Sequence, residues 1–145
     1  MKLTTRSRYG TRLLLDIALH SAKGPVPSKD TARREKISLK YLEKMIKKLN
    51  EAGYVKGKRG PNGGNMLTRP PEEISIGEVA QILDGQEDRV LDCDGDLSTC
   101  PRAGVCLRRS IWDDASRAMY KMLDSYTLAD LIKDAHLCPL NTQTE

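Results

Sequence analysis

Three cysteines, Cys93, Cys100 and Cys106, fall within fourteen positions in the pattern C-x6-C-x5-C. Such crowding is not a packing pattern. Thiolates at loop spacings of this kind converge on one soft ion or cluster, whose hydrogen bonds and surrounding charge tune its redox behaviour. Structural zinc prefers tighter cysteine pairs and a fourth Cys or His nearby. The sequence has no C-x2-C pair, which makes zinc the lesser reading. A metal-free thiol switch through a Cys93–Cys106 bond is the other alternative. The lone Cys138 reads as a buried or idle thiol. Of the two histidines, His20 lies within a helical pattern and reads as structural, with His136 far downstream.

The elements that must position these thiols are legible on both sides. Residues 86–104 are rich in Asp, Gly, Ser, Thr and Pro without apolar periodicity, so they form the cysteine-bearing loop and need something to order it. Helical period returns over 105–126, where Ile111, Ala115, Met119, Met122 and Tyr126 share one side, flanked by Trp112 and Leu123. A helix of about 20 residues spans roughly 30 Å, longer than so small a domain covers by itself. Its stripe is therefore expected to meet a second copy of the chain. Thr127 and Asp130 cap a last short helix, residues 105–138 make up the dimerisation helices, and 139–145 form a flexible tail.

Upstream, residues 5–22 place Tyr9, Leu13, Ile17, Leu14 and Ala18 on adjoining helical rows and leave Arg6, Arg8, Arg12 and Asp16 for solvent. A short helix over 28–35 follows. Ser38 then caps a longer helix to about Asn50, with Ile37 and Leu42 as a hydrophobic staple. Along it Leu39, Leu42, Ile46 and Leu49 face inward and Lys40, Glu43, Lys44 and Lys47 face outward. Tyr54–Arg59, Gly60–Gly64 and Asn65–Thr68 read as strand, turn and strand. Beyond Pro70-Pro71, a Ser75–Glu78 capping box and an Ile74–Val79 staple start a helix that ends at Asp84-Gly85. Helix, short helix, helix and basic hairpin are the parts of a winged helix-turn-helix. The fold class expected is mainly α, with a two-stranded wing and a long C-terminal dimerisation helix, and residues 1–85 form the DNA-binding domain.

Charge supports a nucleic-acid partner. The 145 residues carry a net +4, yet residues 1–70 hold 17 Lys/Arg against 5 Asp/Glu and residues 71–145 hold 7 against 15, so the halves differ as +12 and −8. A chain polarised in this way offers one face to a polyanion and reserves the other half for a different task. On a recognition helix, Lys reaches guanine O6 and N7 and a carboxylate accepts from cytosine N4. Ser38, Lys40, Glu43, Lys44 and Lys47 are the candidates there. Tyr41 either closes the core edge or donates its hydroxyl to a phosphate. Lys56, Lys58 and Arg59, on a Gly-rich hairpin, reach phosphates or a narrow minor groove without bulky neighbours. The apolar run Leu13–Leu19 contains Asp16 and is far too short for a membrane span, and a cytoplasmic protein is expected. No triad, phosphate loop or paired carboxylates point to an enzyme.

GPVP at 24–27, ISLKYLEKMIKKL at 37–49, RGPNGG at 59–64, ISIGEV at 74–79 and YTLADL at 126–131 together resemble the bacterial winged-helix regulators of the IscR, NsrR and CymR kind. The resemblance covers almost the whole chain. It implies a recognition helix over 38–50 with Glu43 reading bases, Arg59 at the wing, iron–sulfur ligands at Cys93, Cys100 and Cys106, and dimerisation through the long helix. IscR-like members take a fourth ligand from a His three residues past the last Cys, where this chain has Arg109. Members like NsrR use an acidic residue near position 8, and this chain has Ser7-Arg8-Tyr9. The fourth ligand stays open among Asp92, Asp94, Asp96, Cys138, a bound thiol and water, and the cluster between 2Fe-2S and 4Fe-4S. The function implied is a homodimeric repressor of palindromic promoters, controlled by a cluster that senses cluster status, redox stress or nitric oxide. The alternative is a cluster-free regulator of sulfur or cysteine metabolism, signalled by a bound enzyme or by thiol oxidation.

Overall fold

The computed structural model describes residues 4–85, 101–106 and 109–137. Most of the 86–104 loop, the tail and Cys138 lie outside the described residues. The elements are α1 (Thr5–His20), α2 (Ser28–Glu35), α3 (Leu39–Glu51), β1 (Val55–Lys58), β2 (Gly64–Leu67), α4 (Ile76–Asp84), α5 (Arg109–Asp124) and α6 (Leu128–Leu137), with short 3₁₀ turns between some of them. The fold is mainly helical, with one antiparallel two-stranded sheet that pairs Val55 with Leu67 and Lys58 with Gly64.

One apolar cluster joins Leu13, Leu14 and Ile17 of α1, Leu42, Met45 and Leu49 of α3, Val55 of β1, Val79 and Leu83 of α4 and Leu128 of α6. Each such side chain, fully buried, contributes about 1.5–3 kcal/mol. The inward face of α3 is rotated from the expected one. Met45 is buried with Leu42 and Leu49, whereas Leu39 and Ile46 are only partly covered. The three buried residues follow an i, i+3, i+7 row that the unbranched Met completes.

Asp16 is not turned to solvent as its place among α1's polar residues suggests. Its side chain is 2% exposed and accepts from Arg34 of α2 through Nε at 2.6 Å and Nη2 at 2.8 Å. Burial raises the Asp16 carboxyl, but hydrogen bonds from Arg34 and Thr31 and the charges of Arg34 and His20 together outweigh it and hold the group below its ordinary value. His20 completes the site, with Nδ1 2.8 Å from the Asp16 carbonyl oxygen.

The end of α5 and the start of α6 return to the core. The Ile76 amide donates to the Tyr126 carbonyl at 3.0 Å, and the Leu128 amide donates to the Ile74 carbonyl at 2.9 Å. The core thus does not stop at residue 85: α6, expected among the dimerisation helices, delivers Leu128 and Ala129 into it. Thr127 accepts from the Asp130 amide, and the Asp130 carboxylate accepts from the Thr127 amide at 2.9 Å, which closes a complete capping box. The Ser75 box is only half made. Ser75 Oγ accepts from the Glu78 amide at 3.2 Å, but the Glu78 carboxylate turns away to accept from the Tyr54 hydroxyl at 2.5 Å. Burial together with that carboxylate pushes the Tyr54 hydroxyl up to about 12.

Gly77 lets α5 end against α4. A Cβ there would stand 2.1 Å from Asp124 Oδ1 and 2.8 Å from the Asp124 amide nitrogen. Asp124 itself accepts from Ser75 Oγ at 2.7 Å. Gly77→Ala is expected to lower stability by about 1–3 kcal/mol through overpacking. A thermal midpoint equal to wild type would show that α5 yields freely at this contact.

Candidate nucleic-acid interface and cysteine site

The turn between α2 and α3 is built on one strained residue. Lys36 is the single non-glycine with positive φ among the described residues, at φ 54. It ends α2 with its amide bonded to Arg33, and the Ile37 amide bonds the Ala32 carbonyl at 3.0 Å, the Schellman arrangement. Ile37 is thereby buried, and Ser38 caps α3 by accepting from the Tyr41 amide at 3.3 Å. This fixes which side of α3 faces out. Ser38, Lys40, Glu43, Lys44 and Lys47 are all exposed. Lys47 approaches Glu51 at 3.9 Å, a surface pair of little energetic weight. Tyr41 settles toward the core edge, since it is half-buried and packs edge-on against Tyr9 with ring centres 6.1 Å apart.

On the wing, Val55 points into the core, and Lys56 and Lys58, two residues apart, share the other face of β1. Both are exposed, as is Arg59 at the turn. Gly60 takes φ 111 there, a conformation side chains rarely adopt, and its carbonyl accepts from the Gly63 amide at 2.9 Å. The wing is tied to the helix-turn-helix by Asn65. Its backbone exchanges two hydrogen bonds with Val26, at 2.9 and 2.8 Å, and its buried amide donates to Ser28 Oγ at 2.9 Å. Sequence reasoning placed Asn65 in the strand without a role. Its one signal is an amide residue where the strand's inward pattern calls for an apolar one.

Cys106 is a free, half-buried thiol just after the Ala103–Val105 turn and ahead of α5. Cys93 and Cys100 lie outside the described residues. No group of three metal-ligating side chains is gathered among the described residues. Large exposed apolar side chains cluster downstream: Ile111 is 63% exposed, Trp112 45%, Met122 59% and Tyr126 46%. No helix among the described residues is long and apolar enough to cross a membrane.

A helix-turn-helix with a cationic outer face, joined to a cationic wing, defines a winged-helix DNA-binding transcription regulator. The chain belongs to the Rrf2 family, described as iron-dependent transcriptional regulators, whose profile matches residues 3–134. It is 52% identical to Protein rrf2 of Nitratidesulfovibrio vulgaris over 141 residues, 97% of this chain and 93% of that one. Among solved structures it is similar to T. potens IscR, with 33% identity, TM-score 0.74, and coverage of 100% of this chain and 93% of that one. CymR, the global cysteine regulator of B. subtilis, matches at 31% identity and TM-score 0.70 over 92% of this chain and 97% of its own. The family is one of regulators, not enzymes.

Proposed function

We propose that the chain acts as a homodimeric repressor whose affinity for palindromic promoter DNA is set by an iron–sulfur cluster on Cys93, Cys100 and Cys106. The observation that carries this reading is the division of labour along the chain. The cations of α3 and the wing lie outward on the first half, and the large exposed apolar side chains of the described residues all fall between 105 and 137, in the half of the sequence that holds the cysteines. An isologous contact through α5 would cover those side chains and present two recognition helices to two half-sites. Three thiolates suit iron and sulfide, and Cys106 is free to ligate. When bound, the cluster supplies a redox- and nitric-oxide-responsive centre. The residues of this chain supply the rest: the thiolates hold it, and the segment they order runs between Asp84 of α4 and α5, the junction on which half-site spacing depends.

A second reading has its own support. The likeness to CymR, named for cysteine regulation, and the free Cys106 fit a cluster-free regulator signalled by a bound enzyme or by thiol oxidation. Purification without oxygen separates the two. Wild type is expected to be coloured and to carry iron and sulfide, and Cys100→Ser to lose visible absorbance and shift DNA affinity by roughly 5–150-fold, the usual scale of coupling between sites. A colourless wild type, or one affinity with and without cluster, overturns the cluster reading and leaves the second.

A further inference from the structure

Beside the outer face of α3 lies an open cleft of about 260 Å³, lined by Arg6, Tyr41, Lys44, Met45, Lys48 and Leu83. We propose that this cleft seats a DNA backbone phosphate, gripped by Arg6 and Lys48, so that the first turn of α1 belongs to the DNA-binding surface. The proposal rests on the DNA-binding role of α3 and adds to it a contact from α1, made by Arg6 together with Lys48 at the far end of α3.

Three of the six lining side chains are cations and none is a carboxylate. Arg6 occupies the first turn of α1, which contains no acidic residue. A helix N-terminus carries partial positive charge and favours acids, so an exposed arginine there is unfavourable for the helix itself and suits an incoming anion. It is exposed, so no packing gain accounts for it. Lys48 is held in place: its ammonium donates to the Leu83 carbonyl at 3.3 Å, which satisfies the end of α4 and leaves further N–H groups to donate. The Asp84 carboxylate is buried, accepts from Thr4 Oγ1 at the N-cap of α1 and does not line the cleft. Four of the lining residues, Tyr41, Lys44, Met45 and Lys48, belong to α3, and through Lys44 the cleft is continuous with its exposed cationic face. Half or more of protein–DNA hydrogen bonds go to phosphate and sugar, and in a helix-turn-helix a neighbouring helix commonly crosses the backbone.

The test uses the full-length protein and a palindromic duplex that wild type binds, titrated over a salt series, with Arg6→Gln, Lys48→Met and, as an equal charge change on α6, Lys133→Gln. Each lost phosphate contact lowers the salt slope by about 0.9, which amounts to about eightfold in affinity per subunit at 0.1 M salt. Arg6→Gln and Lys48→Met are expected to show that loss on every sequence alike, with the ranking of base-pair substitutions kept and Lys133→Gln unchanged. Because Lys48→Met also removes a tether to α4, thermal melting accompanies both variants, and Arg6→Gln, at an exposed position, is decisive where the two differ. An unchanged slope for Arg6→Gln overturns the proposal while wild-type binding leaves the DNA reading intact. A reordered base preference overturns it in favour of base reading, and a wild type that binds no duplex refutes the DNA reading and the proposal together.

Discussion

Arg34→Met is expected to cost about 3 kcal/mol at pH 7, the low end for breaking a buried ion pair, because Arg34 keeps 24% of its side chain exposed while Asp16 keeps only 2%. The methionine fills the space of the arginine stem but leaves the Asp16 carboxylate buried without its paired donors. The sign of the pH dependence follows from the two opposing influences on that carboxyl. In wild type its folded value lies below the ordinary 3.8, so the pair contributes stability above about pH 4 that is lost as pH falls through the folded value. In the variant burial, the largest influence, is offset only by Thr31 and His20, so the carboxyl moves up from its wild-type value and takes up a proton sooner. The deficit should therefore be smaller at pH 4 than at pH 7. Urea unfolding at the two pH values measures it. A loss under about 1 kcal/mol at pH 7, or a deficit that stays constant, would mean that water replaces the guanidinium at no cost.

Glu43→Ala should broaden sequence preference more than any other single change on the DNA face. Glu43 stands among Lys40, Lys44 and Lys47 on the exposed side of α3, and on the proposed reading its carboxylate is the one group on that face that would accept from a cytosine amino group. Each such contact discriminates by about 1–3 kcal/mol, and a symmetric dimer would lose it in both half-sites. Lys58→Ala, on the wing, should weaken all duplexes alike and flatten the salt slope. Binding measured across single base-pair variants of a palindrome separates the two behaviours. If the preference profile of Glu43→Ala matched wild type, Glu43 would have no part in reading bases.

The winged framework was open to sequence reasoning because its signals are local. Ser38 before an amphipathic run, a Gly-rich turn between two short β-prone runs, and Pro70-Pro71 ahead of Ser75 each act over a few residues. What escaped depends on partners far along the chain. Asp16 reads as solvent-facing on α1 because its partner Arg34 lies 18 residues away on another helix. The Glu78 carboxylate serves Tyr54 rather than its own helix end, a choice decided by packing between α4 and the residue before β1. Met45 displaced Leu39 and Ile46 from the deepest positions because one residue's rotation of a helix exchanges neighbouring rows. The outward face of α3 was nonetheless right, since its charged residues span an arc too wide for a small rotation to bury. Leu128 looked like part of an arm because nothing in YTLADL announces that it lands beside Ile74.

That last contact has an architectural consequence. α4 and Leu128 of α6 both pack in the core, and the backbone bonds between 74–76 and 126–128 fasten the returning chain beside the start of α4, so the stretch between α4 and α6, which in sequence carries all three clustered cysteines, is a cassette inserted between two elements of the DNA-reading body. Doubling the length of a tethered loop adds only about 0.6 kcal/mol of closure entropy. Beyond α4, insertions, deletions or wholesale exchange of donor atoms in the cassette can be accommodated without re-registering the body that grips DNA. A lineage can in this way rewire what it perceives while keeping what it commands.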